Sequence, residues 1–192
     1  MPAVFAWRCR DGRSYPRQAR EPSGRFITMQ RVEIRRASLA DAEAIRHIYN
    51  IEVTGSTATL DLVPRTPEEQ ASWMVAHSGV YPVIVAEDGG QVVGFAALSP
   101  YRPRPGYATA VEDSIYVAEP HRGRGIGRAL LGEAVDMARN HGFHSVVARV
   151  SATQQASVAL HQACGFELIG IEREIGRKFG RWVDVALLQC LL

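Results

Sequence analysis

Apolar and polar positions along the chain follow two repeats. "RVEIRRA" (31–37) alternates with period 2, as a half-buried strand does, and "SLADAEAIRHIYNIEV" then carries Ala44, Ile45, Ile48 and Tyr49 as a helical stripe. Ser38, with Asp41 three residues on, is a capping-box-like start for that helix. "TPEEQASWMVAHS" predicts a second helix behind Thr66 and Pro67. "YPVIVAED" and "QVVGFAALSP" read as two strands joined by Gly89 and Gly90, a hairpin signal. A strand "TAVEDSIYVA", a glycine-rich loop and a helix over 128–141 follow. Next come strand "HSVVARV", helix "QASVALHQACG", and two last strands, "FELIGIERE" and "RWVDVALLQCLL". The expected class is mixed α/β with hairpins at several points.

Residues 1–30 show neither period, and Pro2, Pro16, Pro22, Gly12 and Gly24 interrupt them. They are expected to be a disordered or extraneous N-terminal extension, since Met29 stands just before the first patterned segment. Residues 31–192 are then one domain, a size that suits a single core.

Charge changes this picture once it is divided along the chain. Residues 1–30 hold six arginines against Asp11 and Glu21; removing these from the 22 basic and 20 acidic residues of the whole leaves 16 basic against 18 acidic. A mildly acidic body offers no broad basic face, so no nucleic-acid partner is expected. Cys9, Cys164 and Cys190 are odd in number and lack CxxC spacing, which suggests neither a disulfide framework nor a zinc site and fits a reducing cytoplasm. No histidine pairs at i, i+4 with a second type of ligand, so no metal is expected. No apolar run approaches the roughly 18 residues of a membrane span, and no membrane partner is expected.

The glycine-rich loop is "HRGRGIGR" (121–128). Gly123, Gly125 and Gly127 between a strand and a helix let backbone N–H groups converge, and the helix N-terminus adds about half a positive charge, so phosphate is the natural ligand. Arg122, Arg124 and Arg128 reinforce this. A Walker A loop needs GK[ST], and a Rossmann loop needs the first strand of a βαβ unit with an acid about 20 residues on; neither fits. The alternative is a solvated turn whose glycines merely permit positive φ.

What remains, "RGRGIG" after "SIYVAEPH", resembles the pyrophosphate loop of the GNAT superfamily of N-acetyltransferases, with Arg122, Gly125 and Gly127 on its Q/R-x-x-G-x-G/A pattern. The element order from about residue 32 to 192 is similar as well. "STATL", "VEDSIYV", "SVALHQACGF" and "KFGRWVDV" resemble the phosphinothricin and methionine sulfone acetyltransferase branch. The resemblance implies the GNAT fold, a central mixed, mostly antiparallel sheet flanked by helices, and acetyl-CoA as co-substrate. It places the pyrophosphate on Gly123, Arg124, Gly125, Ile126, Gly127 and Arg128, and the pantetheine arm beside Ile115, Tyr116 and Val117. Gln154 stands where the family commonly has asparagine, with Ser157 at the expected helix start. The resembled enzymes are dimers, so a homodimer is expected.

Amine acetylation needs an unprotonated nucleophile, hence a group that accepts a proton. Glu112 on a mostly buried strand is the expected base, and the resemblance implies a base there; the other reading is a strand carboxylate facing solvent or an arginine. Asp113, one residue on, must face the opposite side. His161 lies where the wider superfamily carries a tyrosine thought to protonate the departing thiolate and where this branch has histidine; it is either that acid or positioning group, or a structural helix histidine. "YRPRPGY" (101–107) sets Arg102 and Arg104 on one side of a stiff loop, with Tyr107 beside them, to grip a substrate carboxylate. Leu60 and Ala108 replace the aromatic and the carboxylate found in some relatives, which leaves the acceptor open.

The reading is an N-acetyltransferase for the α-amine of a small amino-acid-like molecule of phosphinothricin, methionine sulfoximine or methionine sulfone type, acting by direct attack on the thioester. The alternatives are acetylation of protein N-termini or polyamines, or a non-catalytic acyl-CoA-binding module.

Overall fold

Gly89 and Gly90 turn the chain with φ of +61° and +83°, values that suit glycine. They set β2 (Val83–Asp88) antiparallel to β3 (Gln91–Pro100). The structure, a computed structural model, describes residues 32–192; the expectation for residues 1–30 lies outside them. β1 (Glu33–Arg36) joins the outer edge of β2, and β4 (Ala110–Val117) the far side of β3. β5 (Ser145–Ser151), β6 (Glu167–Lys178) and β7 (Arg181–Leu191) complete a seven-stranded sheet in the order β1-β2-β3-β4-β5-β7-β6. Its pairs are antiparallel except β4 with β5, as the mixed, mostly antiparallel expectation requires.

Four helices cover the sheet: α1 (Ala42–Gly55), α2 (Pro67–Ala76), α3 (Ile126–Asn140) and α4 (Gln155–Ala163). Thr66 Oγ1 accepts from the Glu69 amide at 3.2 Å, and the Glu69 carboxylate accepts from the Thr66 amide at 2.8 Å, a reciprocal cap that starts α2. Asp41 likewise accepts from the Ser38 amide at 2.7 Å, but a short 3₁₀ turn, Leu39–Asp41, intervenes before α1. α3 starts at Ile126, two residues before the periodic pattern predicts, because Gly125 at φ +82° sets the first turn. An apolar stripe marks a buried face, not a first turn.

Strand alternation divides the core in two. Val111, Leu98, Val146 and Leu188 pack beneath Leu130, Leu131 and Ala134 of α3 on one face. Val85, Phe95 and Ala97 pack against Ile45, Tyr49 and Val53 of α1 and Met74 of α2 on the other. Along β4, Val111, Ile115 and Val117 belong to the α3 side and Tyr116 to the α1 side. Asp113 therefore faces α3 and α4, while Glu112 and Ser114 face α1.

The parallel pairing of β4 with β5 covers Ala110↔Ser145, Val111↔Val146 and Glu112↔Val147, and then stops. β5 stays paired to β7 as far as Ser151↔Val185, and β4 to β3 as far as Val117↔Gly94. The two strands part inside the sheet.

Gly94 holds β4 in this position. A Cβ there would lie 2.9 Å from the Tyr116 carbonyl oxygen and 3.3 Å from both Leu130 Cδ1 and Val117 Cγ2. Gly94→Ala is expected to cost about 1–3 kcal/mol, the usual range for overpacking, seen as a lower midpoint in thermal melts. An unchanged midpoint would mean that β4 shifts freely.

Candidate active site

Where β4 and β5 part, a cleft of about 770 Å³ opens, lined by β4 from Glu112 to Val117, β5 from Ala148 to Ser151, the 56–61 loop, the glycine loop and α4. The β4 edge that faces β5 beyond Glu112 has no strand partner among the described residues, so backbone polar groups there face the cleft. Arg122 Nε already donates to one of them, the Val117 carbonyl, at 2.9 Å.

The glycine loop closes one end. Gly123 and Gly125 have φ of +75° and +82°, which turns the chain so that α3 points its first amides at the cleft. Gly127 serves a different purpose, since a Cβ there would stand 3.1 Å from Leu160 Cδ2 and its bareness lets α3 approach α4. The arginine side chains hold this loop to the body. Arg122 pairs with Glu52 of α1, and Arg124 pairs with Asp88 at 2.8 Å. Arg128, Gln154 and Ser157 line the same end.

Glu112 sits at the fork on the α1 side, half-buried. Burial pushes its carboxyl above the ordinary glutamate value; the charge of Arg149 pulls the other way without cancelling the shift. Asp113 and His161 lie on the opposite face and both are buried. His161 Nδ1 meets the Ser157 carbonyl at 2.7 Å, and Nε2 meets Asp113 Oδ2 at 3.1 Å. A carbonyl accepts only, so Nδ1 carries a proton; the Nε2–carboxylate contact then requires a second one between the two groups. Burial pulls the His161 pKa down, but the Asp113 hydrogen bond and charge and the Ser157 carbonyl outweigh it, and the net shift is upward. Asp113 Oδ1 has no hydrogen-bond partner among the described residues.

The 56–61 loop forms the wall facing Glu112. Tyr49 Oη donates to Asp61 Oδ2 at 2.6 Å and shares a hydrogen bond with Thr59 Oγ1 at 2.9 Å. Lys178, buried at the end of β6, donates to the Thr59 carbonyl at 2.7 Å. Glu52 Oε2 accepts from Ser56 Oγ at 2.6 Å, so one carboxylate ties the wall to Arg122 of the glycine loop. Leu60 lies over Gly176, where a Cβ would come within 2.6 Å of its Cδ1. Arg149, also in the lining, pairs with Glu172 at 2.7 Å.

The cleft thus gathers Glu112, Ile115, Tyr116, Val117, Arg122, Gly123, Gly125, Ile126, Gly127, Arg128, Gln154, Ser157 and His161. Arg102, Arg104 and Tyr107 are exposed beside it in the 101–107 loop, outside its lining; Arg102 packs over the Tyr101 ring, 4.9 Å from its centroid. Sequence reasoning missed Glu52, Thr59, Asp61, Arg149 and Lys178. Glu52 follows the apolar stripe of α1 and Lys178 opens "KFGRWVDV", but nothing in their spacing marks a site. Among the described residues no three His, Cys, Asp or Glu side chains converge as metal ligands, and no helix is long and apolar enough to cross a membrane.

The sequence model of the acetyltransferase (GNAT) family matches residues 43–166. The chain is 38% identical over 158 residues to an L-methionine sulfoximine/L-methionine sulfone acetyltransferase of Pseudomonas paraeruginosa, covering 81% of this chain and 92% of that one. It is 39% identical over 159 residues to a phosphinothricin N-acetyltransferase of Streptomyces coelicolor, covering 81% and 93%. A phosphinothricin acetyltransferase of Sinorhizobium meliloti, solved with acetyl-CoA, superposes with a TM-score of 0.81 at 39% identity, covering 84% of this chain and 88% of that one. The protein belongs to the acetyltransferase (GNAT) family and is an N-acetyltransferase of the GNAT fold.

The cleft fits acetyl-CoA on its own chemistry. An unpaired strand edge suits an extended amide chain, and amides at a helix N-terminus suit a diphosphate.

The raised His161 pKa has a measurable consequence. Its folded pKa is raised, so its contribution to stability is fully present below the unfolded value of about 6.5 and is lost as pH rises through the folded value. Asp113→Asn removes the partner that favours the second proton. The stability gap between wild type and Asp113→Asn is expected to be widest below about pH 6.5 and to narrow above the folded His161 pKa. Thermal melts from pH 5 to 9 measure it; a gap independent of pH would mean that His161 is singly protonated throughout.

Proposed function

We propose that the enzyme transfers the acetyl group of acetyl-CoA to the α-amine of a small amino-acid-like acceptor of phosphinothricin, methionine sulfoximine or methionine sulfone type. One observation carries the reading: Glu112 and His161 approach the same gap between β4 and β5 from opposite faces of the sheet. Glu112 takes a proton from the acceptor ammonium. The freed amine attacks the thioester carbonyl directly, forming the C–N bond as the C–S bond breaks. His161 gives the departing sulfur the proton it shares with Asp113. No acyl-enzyme is needed, and among the described residues the cysteines offer no nucleophile in the cleft: neither Cys164 nor Cys190 lines it.

Acetyl-CoA is held by Ile115, Tyr116 and Val117 along its pantetheine arm and by the amides of Gly123 to Arg128 at its pyrophosphate. Gln154 and Ser157 complete that side, and Arg122 and Arg124 act by fixing the loop. The 101–107 loop grips the acceptor carboxylate through Arg102, whose charge is felt at Glu112, with Arg104 and Tyr107 beside it. Residues 31–192 form the catalytic domain. The enzyme acts in the cytoplasm as a homodimer; exposed Leu168, Ile169, Ile171, Ile175 and Trp182 on β6 and β7 are the apolar surface that supports the dimer.

The raised Glu112 pKa sets the form of the test. Below it the base is protonated, so kcat/KM is expected to fall on the acid side, with a midpoint above the ordinary glutamate value of about 4.3. Glu112→Gln should lower kcat by on the order of 10²–10⁴ and abolish that limb, while acetyl-CoA still raises the thermal midpoint. A variant within a few fold of wild type at every pH would remove Glu112 from the chemistry.

A further inference from the structure

Arg149 is a cation on the acceptor side of the cleft for which the reaction above has no use. On β5, Val146, Ala148 and Val150 face α3, so Val147, Arg149 and Ser151 face the α1 side, as Glu112 does. Val147 is the residue paired with Glu112, so Arg149 is the next side chain on that face as the strands part. Arg149 lines the cleft, and of all charges acting on the Glu112 carboxyl its own is the strongest.

The side chain is also held in place. Glu172 of β6 reaches across β7 to accept from Arg149 Nη2 at 2.7 Å, which leaves Nε and Nη1 without an acceptor among the described residues. A guanidinium carries five N–H donors and can serve two carboxylates at once. Arg102 acts on Glu112 as well, more weakly, from the exposed 101–107 loop. The charges of two guanidiniums therefore act on one base. An α-amino acid presents an ammonium, which Glu112 answers, and one α-carboxylate, which needs one guanidinium. Glu172 answers only the Nη2 side of Arg149, and its remaining donors, Nε and Nη1, can meet a second anion.

Resting on the proposed function above, we infer that Arg149 is a specificity-determining residue that selects acceptors bearing an anionic side chain, a phosphinate or a second carboxylate, over acceptors whose side chain is uncharged. Glu172 tunes it: by holding Nη2 it positions the guanidinium and also offsets part of its charge.

The test is the ratio of kcat/KM for phosphinothricin, whose side chain is an anionic phosphinate, to kcat/KM for methionine sulfone, whose side chain is neutral. Wild type is expected to favour phosphinothricin. Arg149→Ala should lower the ratio by at least about tenfold, the usual effect of losing a charge-assisted hydrogen bond, and Arg149→Lys should lose less. Glu172→Gln, which frees the guanidinium, should raise the ratio. A purely structural ion pair makes the opposite prediction, because breaking it from either end would then damage both substrates alike and leave the ratio unchanged. An unchanged ratio in Arg149→Ala, or a ratio that falls in both variants, overturns the assignment while the proposed function stands. If wild type acetylates neither compound yet binds acetyl-CoA, the proposed function fails and this inference with it.

Discussion

The parting of β4 and β5 after Glu112↔Val147 is the constraint on which the rest depends. Inside a sheet, strand edges satisfy each other; where two strands separate, amides and carbonyls are left without partners in the middle of the molecule. The fold answers this by making the opening useful. An extended amide chain can pair with the β4 edge, and because the opening passes through the sheet, groups on its two faces can act on one bond from opposite sides. Strand alternation sets Glu112 and Asp113 on different faces of β4, α4 brings His161 to the Asp113 side, and both Glu112 and His161 line the gap between those faces.

Keeping such a gap open requires that its walls not collapse, and ion pairs between distant elements do this. Arg122–Glu52 joins the glycine loop to α1, Arg124–Asp88 joins it to the β2 hairpin, Arg149–Glu172 spans β7, and His161–Asp113 joins α4 to β4. The more exposed of these pairs, Arg124–Asp88 and Arg149–Glu172, add little to stability, whereas His161–Asp113 is buried. Their effect here is geometric: three of them fix a cleft-lining residue against an element from another part of the chain, and Arg124–Asp88 fixes the glycine loop itself. Glu52 does so twice, holding Arg122 and Ser56 with its two oxygens, so the glycine loop and the 56–61 loop share one anchor. Lys178 adds a buried donor to the Thr59 carbonyl at the same wall.

The site was only partly legible in the chain. Gly123 and Gly125 announce themselves because left-handed backbone is hard for other residues, and the helix behind them completes a phosphate signal with local meaning. Glu112 was legible through strand alternation, and the same rule set Asp113 on the other face. Arg102 and Arg104 drew attention by their spacing in a stiff loop, yet they lie beside the cleft and not in its lining, while Arg149, inconspicuous in "HSVVARV", lines it. Spacing shows which residues share a side of one element. It does not show what that side faces.

By itself the sequence determined the order and type of the elements, the Gly89–Gly90 hairpin, the caps at Ser38 and Thr66, and the loop that opens α3. These depend on periodicity, turn chemistry and φ preference, all of which act over a few residues. The tertiary structure alone decided where β4 and β5 stop pairing, that Gly127 is bare for the sake of Leu160, that Glu52 and Arg149 line the cleft, and that Lys178 braces its wall. Each of these is a contact between segments far apart in the chain; Lys178 and Thr59, for example, are separated by 119 residues. Such contacts arise only when sheet order and helix packing bring the segments together, and no local pattern of residues carries that information.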